Sequence, residues 1–424
     1  MWKNTDGITL TSVLKLRKIK NVTVNLWHKI KKEKDIMKRK IVLSMAMAMM
    51  LGLAACGTGG GAPAAAPDKN VSQETSESNQ SATQKSTAES TEESTEESSN
   101  LVGVAMPTKD LQRWNQDGEN MKVQLEQAGY TVDLQYAAND ITTQVSQVEN
   151  MIAGGCEVLV IASIDGEALG TVLDQAKAAG IPVIAYDRLI MGSDAVSYYA
   201  TFDNWDVGVK QGEFIVQALD LANAGDKTYN IEYITGDPGD NNINFFFDGA
   251  ISVLQPYIDA GTLVCPSGQT EKQAVATANW ATEAAQSRFE NILASYYSDG
   301  TQLDAVLASN DSTALGVANA LDSSYTGKYP VLTGQDCDIA GVKNMLAGTQ
   351  SMSVFKDTRD LAAKTVEMVD SLMKGTEPPV NDTETYNNDT GVIPSYLCEP
   401  KACTLDNYKE LLLDSGYYTE ADLQ

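Results

Sequence analysis

From residue 101 onward, short continuous apolar runs alternate with longer stretches in which apolar residues recur every three or four positions. A continuous run of four to seven apolar residues fits a strand covered on both faces, and the longer period fits a helix with one buried stripe. Residues 101–107 (LVGVAMP) read as a first strand, and 113–128 as a helix with Trp114, Gly118, Met121 and Leu125 on one stripe. A strand over 131–136 and a helix through Val145, Val148 and Ile152 follow, then strand 158–162 (VLVIA), a helix closed by Gly180, and strand 181–186. A second series starts near Trp205, with strands over 231–235, 263–265, 304–308 and 331–333 and helices over 242–259, 272–295 and 312–321. Strand 351–355 and helix 357–373 complete it. Strands and helices in strict alternation predict parallel sheets covered by helices, and the two series predict two such α/β lobes.

The first hundred residues lack this pattern. Lys38-Arg39-Lys40 precedes an uncharged run over 41–55 that ends in Leu53-Ala54-Ala55-Cys56. A cationic start, small residues before a cut and a cysteine whose thiol can take a diacylglyceryl group are the parts of a lipoprotein export signal. The run is shorter than the roughly 20 apolar residues a spanning helix needs. We therefore read 37–55 as a signal peptide and Cys56 as the lipidated residue, anchoring the chain to the outer face of the cell membrane or in a periplasm. Residues 1–36 show no export pattern and are expected to be an upstream extension from a start assigned too early. Over 72–100 no aliphatic side chain exceeds Ala and no aromatic occurs. Such a segment cannot bury enough apolar area to offset its ordering entropy, so 56–100 is expected to be a solvated tether with an r.m.s. reach of roughly 35–40 Å.

Charge narrows the partners. Residues 1–55 carry 12 Lys or Arg against 3 Asp or Glu, so the formal −26 of the whole chain becomes −35 from Cys56 onward. Nucleic acid is thereby an improbable partner. The sole histidine is His28, ahead of the cut, which removes His-based catalysis and His-ligated metal from the mature chain. Past Cys56 stand Cys156, Cys265, Cys337, Cys398 and Cys403, an odd number without a C-x-x-C pair, which argues against zinc and against a full disulfide framework. A Cys398–Cys403 clip and buried free thiols both remain open.

In open parallel sheets ligands bind beyond the carboxyl ends of the strands. Residues just past the expected strands are Lys109, Arg113 and Trp114; Asp187 and Arg188; Asp240, Asn241 and Asn242; Asn310 and Asp311; Gln335 and Asp336; and Lys356. Carboxylates paired with Arg, Lys and Asn suit a ring of sugar hydroxyls, each of which both donates and accepts, and Trp114 and Trp280 can cover apolar C–H faces. Taken singly, each residue has a structural reading: Asp187-Arg188 an ion pair, Trp114 helix-face core, Lys356 a snorkelling surface residue, Asn242 or Asn310 a helix N-cap. Their joint placement at strand end after strand end favours a site. No G-x-G-x-x-G after a strand, no G-x-x-x-x-G-K-[ST] and no G-x-S-x-G is present, so nucleotide-binding and hydrolase readings lack their parts.

At these residues the chain resembles the periplasmic binding proteins of ABC monosaccharide importers, the type I, ribose-like group, and within it the multiple-sugar and xylose-binding branch. The resemblance runs through GVAMPTKDLQRWNQDG (103–118), IPVIAYDRLI (181–190), YYATFDNWDVG (198–208), GDPGDNN (236–242), ASND (308–311), TGQDCD (333–338), SVFKDTR (353–359) and SGYYTEADLQ (415–424). It implies two doubly wound parallel-sheet lobes joined by a three-strand hinge, the N-terminal lobe over 101–207 plus 357–386 and the C-terminal lobe over 208–356 plus 387–424. It also implies a monosaccharide of the xylose, arabinose, glucose or galactose type, held by Arg113, Trp114, Asp187, Arg188, Asn242, Trp280, Asn310, Asp336 and Lys356. The implied chain is a monomer without cofactor or catalytic activity. It delivers its sugar to ABC permease subunits, or alternatively presents the closed form to a sensor kinase.

Overall fold

The computed structural model describes residues 100–424; the upstream extension, the signal peptide, Cys56 and the tether expected before them lie outside the described residues. In chain order the first elements are β1 (Leu101–Met106), α1 (Gln112–Gln127), β2 (Thr131–Tyr136), α2 (Ile141–Ala153), β3 (Val158–Ile161), α3 (Gly170–Ala178), β4 (Val183–Tyr186) and β5 (Val196–Phe202). Next come α4 (Asn204–Ala218), β6 (Tyr229–Ile234), α5 (Asn242–Asp259), β7 (Leu263–Val264), α6 (Thr282–Tyr296), β8 (Ala305–Ala308), α7 (Asp311–Ser324), β9 (Val331–Leu332) and α8 (Ile339–Ala347). Then follow β10 (Ser353–Phe355), α9 (Thr358–Met373), β11 (Ser395–Cys398), β12 (Lys401–Cys403) and a short helical segment, Lys409–Asp414.

Strands β11-β5-β4-β3-β1-β2 form one sheet and β7-β6-β8-β9 a second, every pairing in both being parallel. The unbroken apolar runs explain this: Val158, Leu159, Val160 and Ile161 are all buried, their side chains dividing between two cores on opposite faces of the first sheet. Helix starts carry their own signals. The Asp140 carboxylate accepts from Thr143 N at 2.6 Å, Asp203 from Asp206 N at 3.0 Å and Asp357 from Arg359 N at 3.0 Å.

The chain passes between the sheets three times: from β5 into α4, from β10 into α9, and from β11 to β12, which pairs antiparallel with β10. The third passage shifts a boundary. Residues 387–424 are expected wholly in the second lobe, yet Ser395–Cys398 pairs with Tyr199–Phe202 in the first sheet, and only the stretch after Cys398 leaves it, β12 forming a separate two-stranded sheet with β10. A short apolar segment at an open sheet edge gains a full ladder of hydrogen bonds there.

Two further expectations change. The helix expected over 272–295 begins only at Thr282, because Asn279 (φ 55°) and Trp280 (φ 57°) turn left-handed while Asn279 N donates to Asp237 Oδ2. Strand β5 is absent from the pattern reading because its tyrosines and threonine look polar, though Tyr199 and Thr201 are fully buried with their hydroxyls satisfied. All five described cysteines are free, Cys398 and Cys403 included.

Candidate functional site

Asp187 stands directly after β4 with φ 59°, a left-handed conformation that Asp tolerates better than most side chains. Its backbone is clamped: the N–H donates to Ala200 O at 2.7 Å. Its carbonyl accepts from Tyr199 Oη (2.6 Å), Thr201 Oγ1 (3.0 Å) and Asn242 Nδ2 (2.8 Å). The carboxylate is thereby aimed along the strand end, where Arg113 Nη2 donates to it.

Arg113, in the first turn of α1, divides its donors among three carboxylates. Its Nε reaches Asp117 Oδ2 at 2.9 Å, one helical turn on, and its Nη1 reaches Asp336 Oδ1 at 3.1 Å from the second sheet. Lys356, past β10, sits 3.0 Å from the same Asp336 oxygen and 3.8 Å from Asp187 Oδ2, with its side chain only 2 % exposed. Arg188 Nη1 donates to Ser163 O and Ile164 O, while its Nε lies 2.9 Å from Asp240 Oδ2 but out of line for a hydrogen bond. The guanidinium carbons of Arg113 and Arg188 lie 5.2 and 5.0 Å from the centre of the Trp114 ring, a cation–π contact.

Burial opposes the charge of Arg113, yet Asp187, Asp117 and Asp336 together hold its pKa well above the ordinary value. Burial likewise disfavours ionised Asp187, but Arg113, Lys356 and Arg188 outweigh it and keep the carboxyl below the usual range. Asp240 moves the other way, its burial exceeding the pull of Arg188. Each of the cations Arg113, Arg188 and Lys356 already has a carboxyl partner, in Asp336, Asp240 and Asp336 respectively, with Asp187 and Asp117 also on Arg113 and Asp338 a further carboxyl in the lining. A neutral ligand rich in donors and acceptors suits such a site better than an ion.

All nine residues expected from the sequence line one cavity, joined by Leu111, Asp240, Phe246, Ser312, Gln335 and Asp338. The free volume of this cavity is about 30 Å³, far below the range of small-molecule sites. The walls are therefore close. Trp280 seals one side, edge-on to Phe246 with ring centres 6.3 Å apart, and packs so tightly on Gly236 that a Cβ there would meet its ring at 2.0 Å. Trp280 Nε1, Gln335 Oε1 and Asp338 Oδ1 are buried without hydrogen-bond partners, and all three residues face this cavity. They are polar atoms that a ligand would complete.

The structural readings of single residues resolve individually. Asn310 does cap a helix, its Oδ1 accepting from Thr313 N at 3.0 Å at the start of α7, while also lining the cavity. The Asn242 side chain makes no capping bond; its Oδ1 accepts from Asn204 Nδ2 (3.0 Å), and its Nδ2 ties α5 to Asp187 across the two sheets. Lys356 is buried rather than snorkelling. Asp240 and Gln335 are legible as strand-end neighbours, whereas Asp338 is not, since it enters only because its N–H is held by Asp311 Oδ2 at 2.9 Å. Among the described residues no group of His, Cys, Asp or Glu is placed to hold a metal ion, and no helix is long and apolar enough to cross a membrane.

Asp338 gives a pH signature. Burial first, then neighbouring Asp336, pushes its carboxyl up to about 7. A carboxyl with a raised folded pKa contributes stability that is complete below its unfolded value of about 4 and is lost as pH rises through the folded value. The thermal midpoint of the unliganded chain is expected to fall between pH 4 and 7, and Asp338→Asn to flatten that fall. Calorimetric scans of both chains across this range check it; parallel curves contradict it.

A family model described as "Periplasmic binding protein domain" matches residues 102–377. Over 327 residues, 76% of this chain and 92% of the relative, the sequence is 50% identical to the multiple sugar-binding periplasmic receptor ChvE of Rhizobium radiobacter. It is 35% identical over 322 residues, 76% of this chain and 92% of the relative, to the D-xylose-binding periplasmic protein of Escherichia coli. The crystal structure of an ABC transporter solute binding protein from Clostridium phytofermentans with bound β-D-glucose is similar with a TM-score of 0.75 and 67% identity, covering 76% of this chain and all of that one.

Proposed function

Because this chain belongs to the periplasmic binding protein family, and within it to the sugar-binding receptors, we propose that it captures an aldose of the xylose, arabinose, glucose or galactose type and hands it to an ABC permease. The observation that carries this reading is one cavity of paired cations and carboxyls, with Arg113, Asp187 and Arg188 on the first sheet's side and Asn310, Asp336 and Lys356 on the side of the second sheet and β10. A pyranose offers each of these groups a hydroxyl that can accept from the cations and donate to the carboxylates at once. Trp114 and Trp280 supply flat apolar cover for its C–H faces.

The mechanism is binding alone, without chemistry. The enclosed walls require the sheets to part before a ring enters, and the three chain passages between the sheets are where that motion pivots. Sugar seated on the first sheet gains Asp336, Lys356 and Asn310 only on closure, so it shifts the population toward the closed form, which the permease recognises. The location is extracytoplasmic. Anchoring through Cys56 rests on the sequence alone; partition of the native protein into detergent, lost in Cys56→Ala, checks it.

A thermal-shift screen of the full chain over pentoses and hexoses tests the sugar-binding reading. A sugar present at 1,000 times its dissociation constant stabilises the folded state by about 4 kcal/mol, so D-glucose or D-xylose at millimolar concentration is expected to raise the midpoint by several degrees. Absence of any shift with every aldose contradicts it.

A further inference from the structure

Behind the cavity, a second layer of contacts joins the two sheets through residues that flank the ligand-facing ones. Gln112 precedes Arg113 in α1, and Cys337 follows Asp336 after β9. The two are linked by Tyr418, from the C-terminal segment after β12. Its hydroxyl donates to Cys337 O at 2.9 Å and accepts from Gln112 Nε2 at 2.7 Å and from Gln116 Nε2 at 3.2 Å. One donor and two acceptor positions are all that a phenol has, so this hydroxyl is fully used. Gln112 returns the link, its Oε1 accepting from Ile339 N at 3.0 Å.

The ring of Tyr418 belongs to the second sheet's side: it is buried in a cluster with Cys337, Val342, Met345, Phe355, Cys403 and Leu412. Its hydroxyl alone reaches across to α1. The Arg113–Asp336 contact at 3.1 Å is thus bracketed by a hydrogen-bonded strut joining the residue before Arg113 to the residue after Asp336.

Resting on the sugar-binding reading above, we propose that Tyr418 and Gln112 form a latch that positions Arg113 against Asp336 and holds the closed form without touching the sugar. A latch of this kind has a distinct consequence. Apparent affinity scales with the fraction of chains in the binding-competent state, so weakening the latch lowers affinity for every sugar by the same factor. A residue that touches the ligand changes the ranking of sugars instead.

The test uses the full chain, with Tyr418→Phe, Gln112→Leu and the double variant, and D-glucose and D-xylose as ligands in calorimetry and stopped-flow release. Each single variant is expected to bind both sugars about tenfold more weakly, with faster release, an unchanged glucose-to-xylose ratio and a ligand-free thermal midpoint close to the parent's. The double variant is expected to lose little more than either single one, because each change breaks the same strut. Parent-like affinity in both single variants overturns the latch. So does a full hundredfold loss in the double variant, which makes the two side chains independent, or an altered sugar ratio, which makes Tyr418 or Gln112 part of the ligand's own surroundings. A parent chain that binds neither these sugars nor any other aldose overturns the sugar-binding reading itself, and the latch with it.

Discussion

Asp187→Asn is expected to weaken aldose binding about a hundredfold while leaving the chain folded. The carboxylate is where Arg113 from α1 and Lys356 from past β10 converge, and its charge is what keeps both cations oriented in a buried site. Removing one partner of a desolvated, hydrogen-bonded charge set costs about 2–5 kcal/mol, mostly because the remaining charges are left uncompensated. The fold survives for local reasons. Asn adopts the left-handed conformation at φ 59° readily, and the bonds that fix this turn go to the backbone of residue 187, which the substitution leaves in place. Titration calorimetry with the sugar that gives the largest thermal shift measures the loss, and circular dichroism checks the fold. Affinity within about threefold of the parent contradicts the role given to this carboxylate.

Gly208→Ala is expected to cause the largest loss of stability among single conservative changes near the site. Helices α4 and α5 approach so closely that a Cβ on Gly208 would lie 2.0 Å from Phe246 O and 2.8 Å from Ala250 N, and one on Gly249 would lie 2.3 Å from Trp205 O. These neighbours are backbone, so no side-chain rotation relieves the overlap and the helices must separate. Overpacking of this kind costs about 3 kcal/mol, a fall in thermal midpoint on the order of 4 °C for a chain of this size. It also reaches the ligand, because α5 opens with Asn242, which is tied to Asp187, and with Phe246, which supports Trp280. Weaker sugar binding is therefore expected together with the lower midpoint. A midpoint within about one degree of the parent's shows that the helices tolerate the extra methyl.

Much of this architecture is legible in the chain because buried parallel strands demand unbroken apolar runs. Residues 158–162 and 305–308 announce themselves that way, and Asn310, just past the second run, lines the cavity, as do Asp187 and Arg188 just past β4. What escapes the pattern is set by contacts distant in sequence. Val196–Phe202 carries tyrosines and a threonine whose hydroxyls find partners distant in sequence, Tyr198 on Glu377 and Tyr199 and Thr201 on the Asp187 carbonyl, brought there by folding. Ser395–Cys398 is too short to reveal which sheet it joins until it pairs with Tyr199–Phe202. Trp280 enters the cavity through a left-handed turn fixed by Asp237 and seated on Gly236, where helical periodicity instead predicts a helix already under way. Asp338 depends on the buried Asp311 carboxyl, itself hydrogen-bonded to Ser353 and Gln350, a network that spacing alone does not reveal.

A crystal structure of the chain grown with D-glucose or D-xylose examines the shared cavity most directly. The expected result is one pyranose enclosed between the two sheets, its hydroxyls within hydrogen-bond reach of Arg113, Asp187, Asn310, Asp336 and Lys356 and its faces against Trp114 and Trp280. A sugar bound elsewhere, or none in this cavity at saturating concentration, contradicts it.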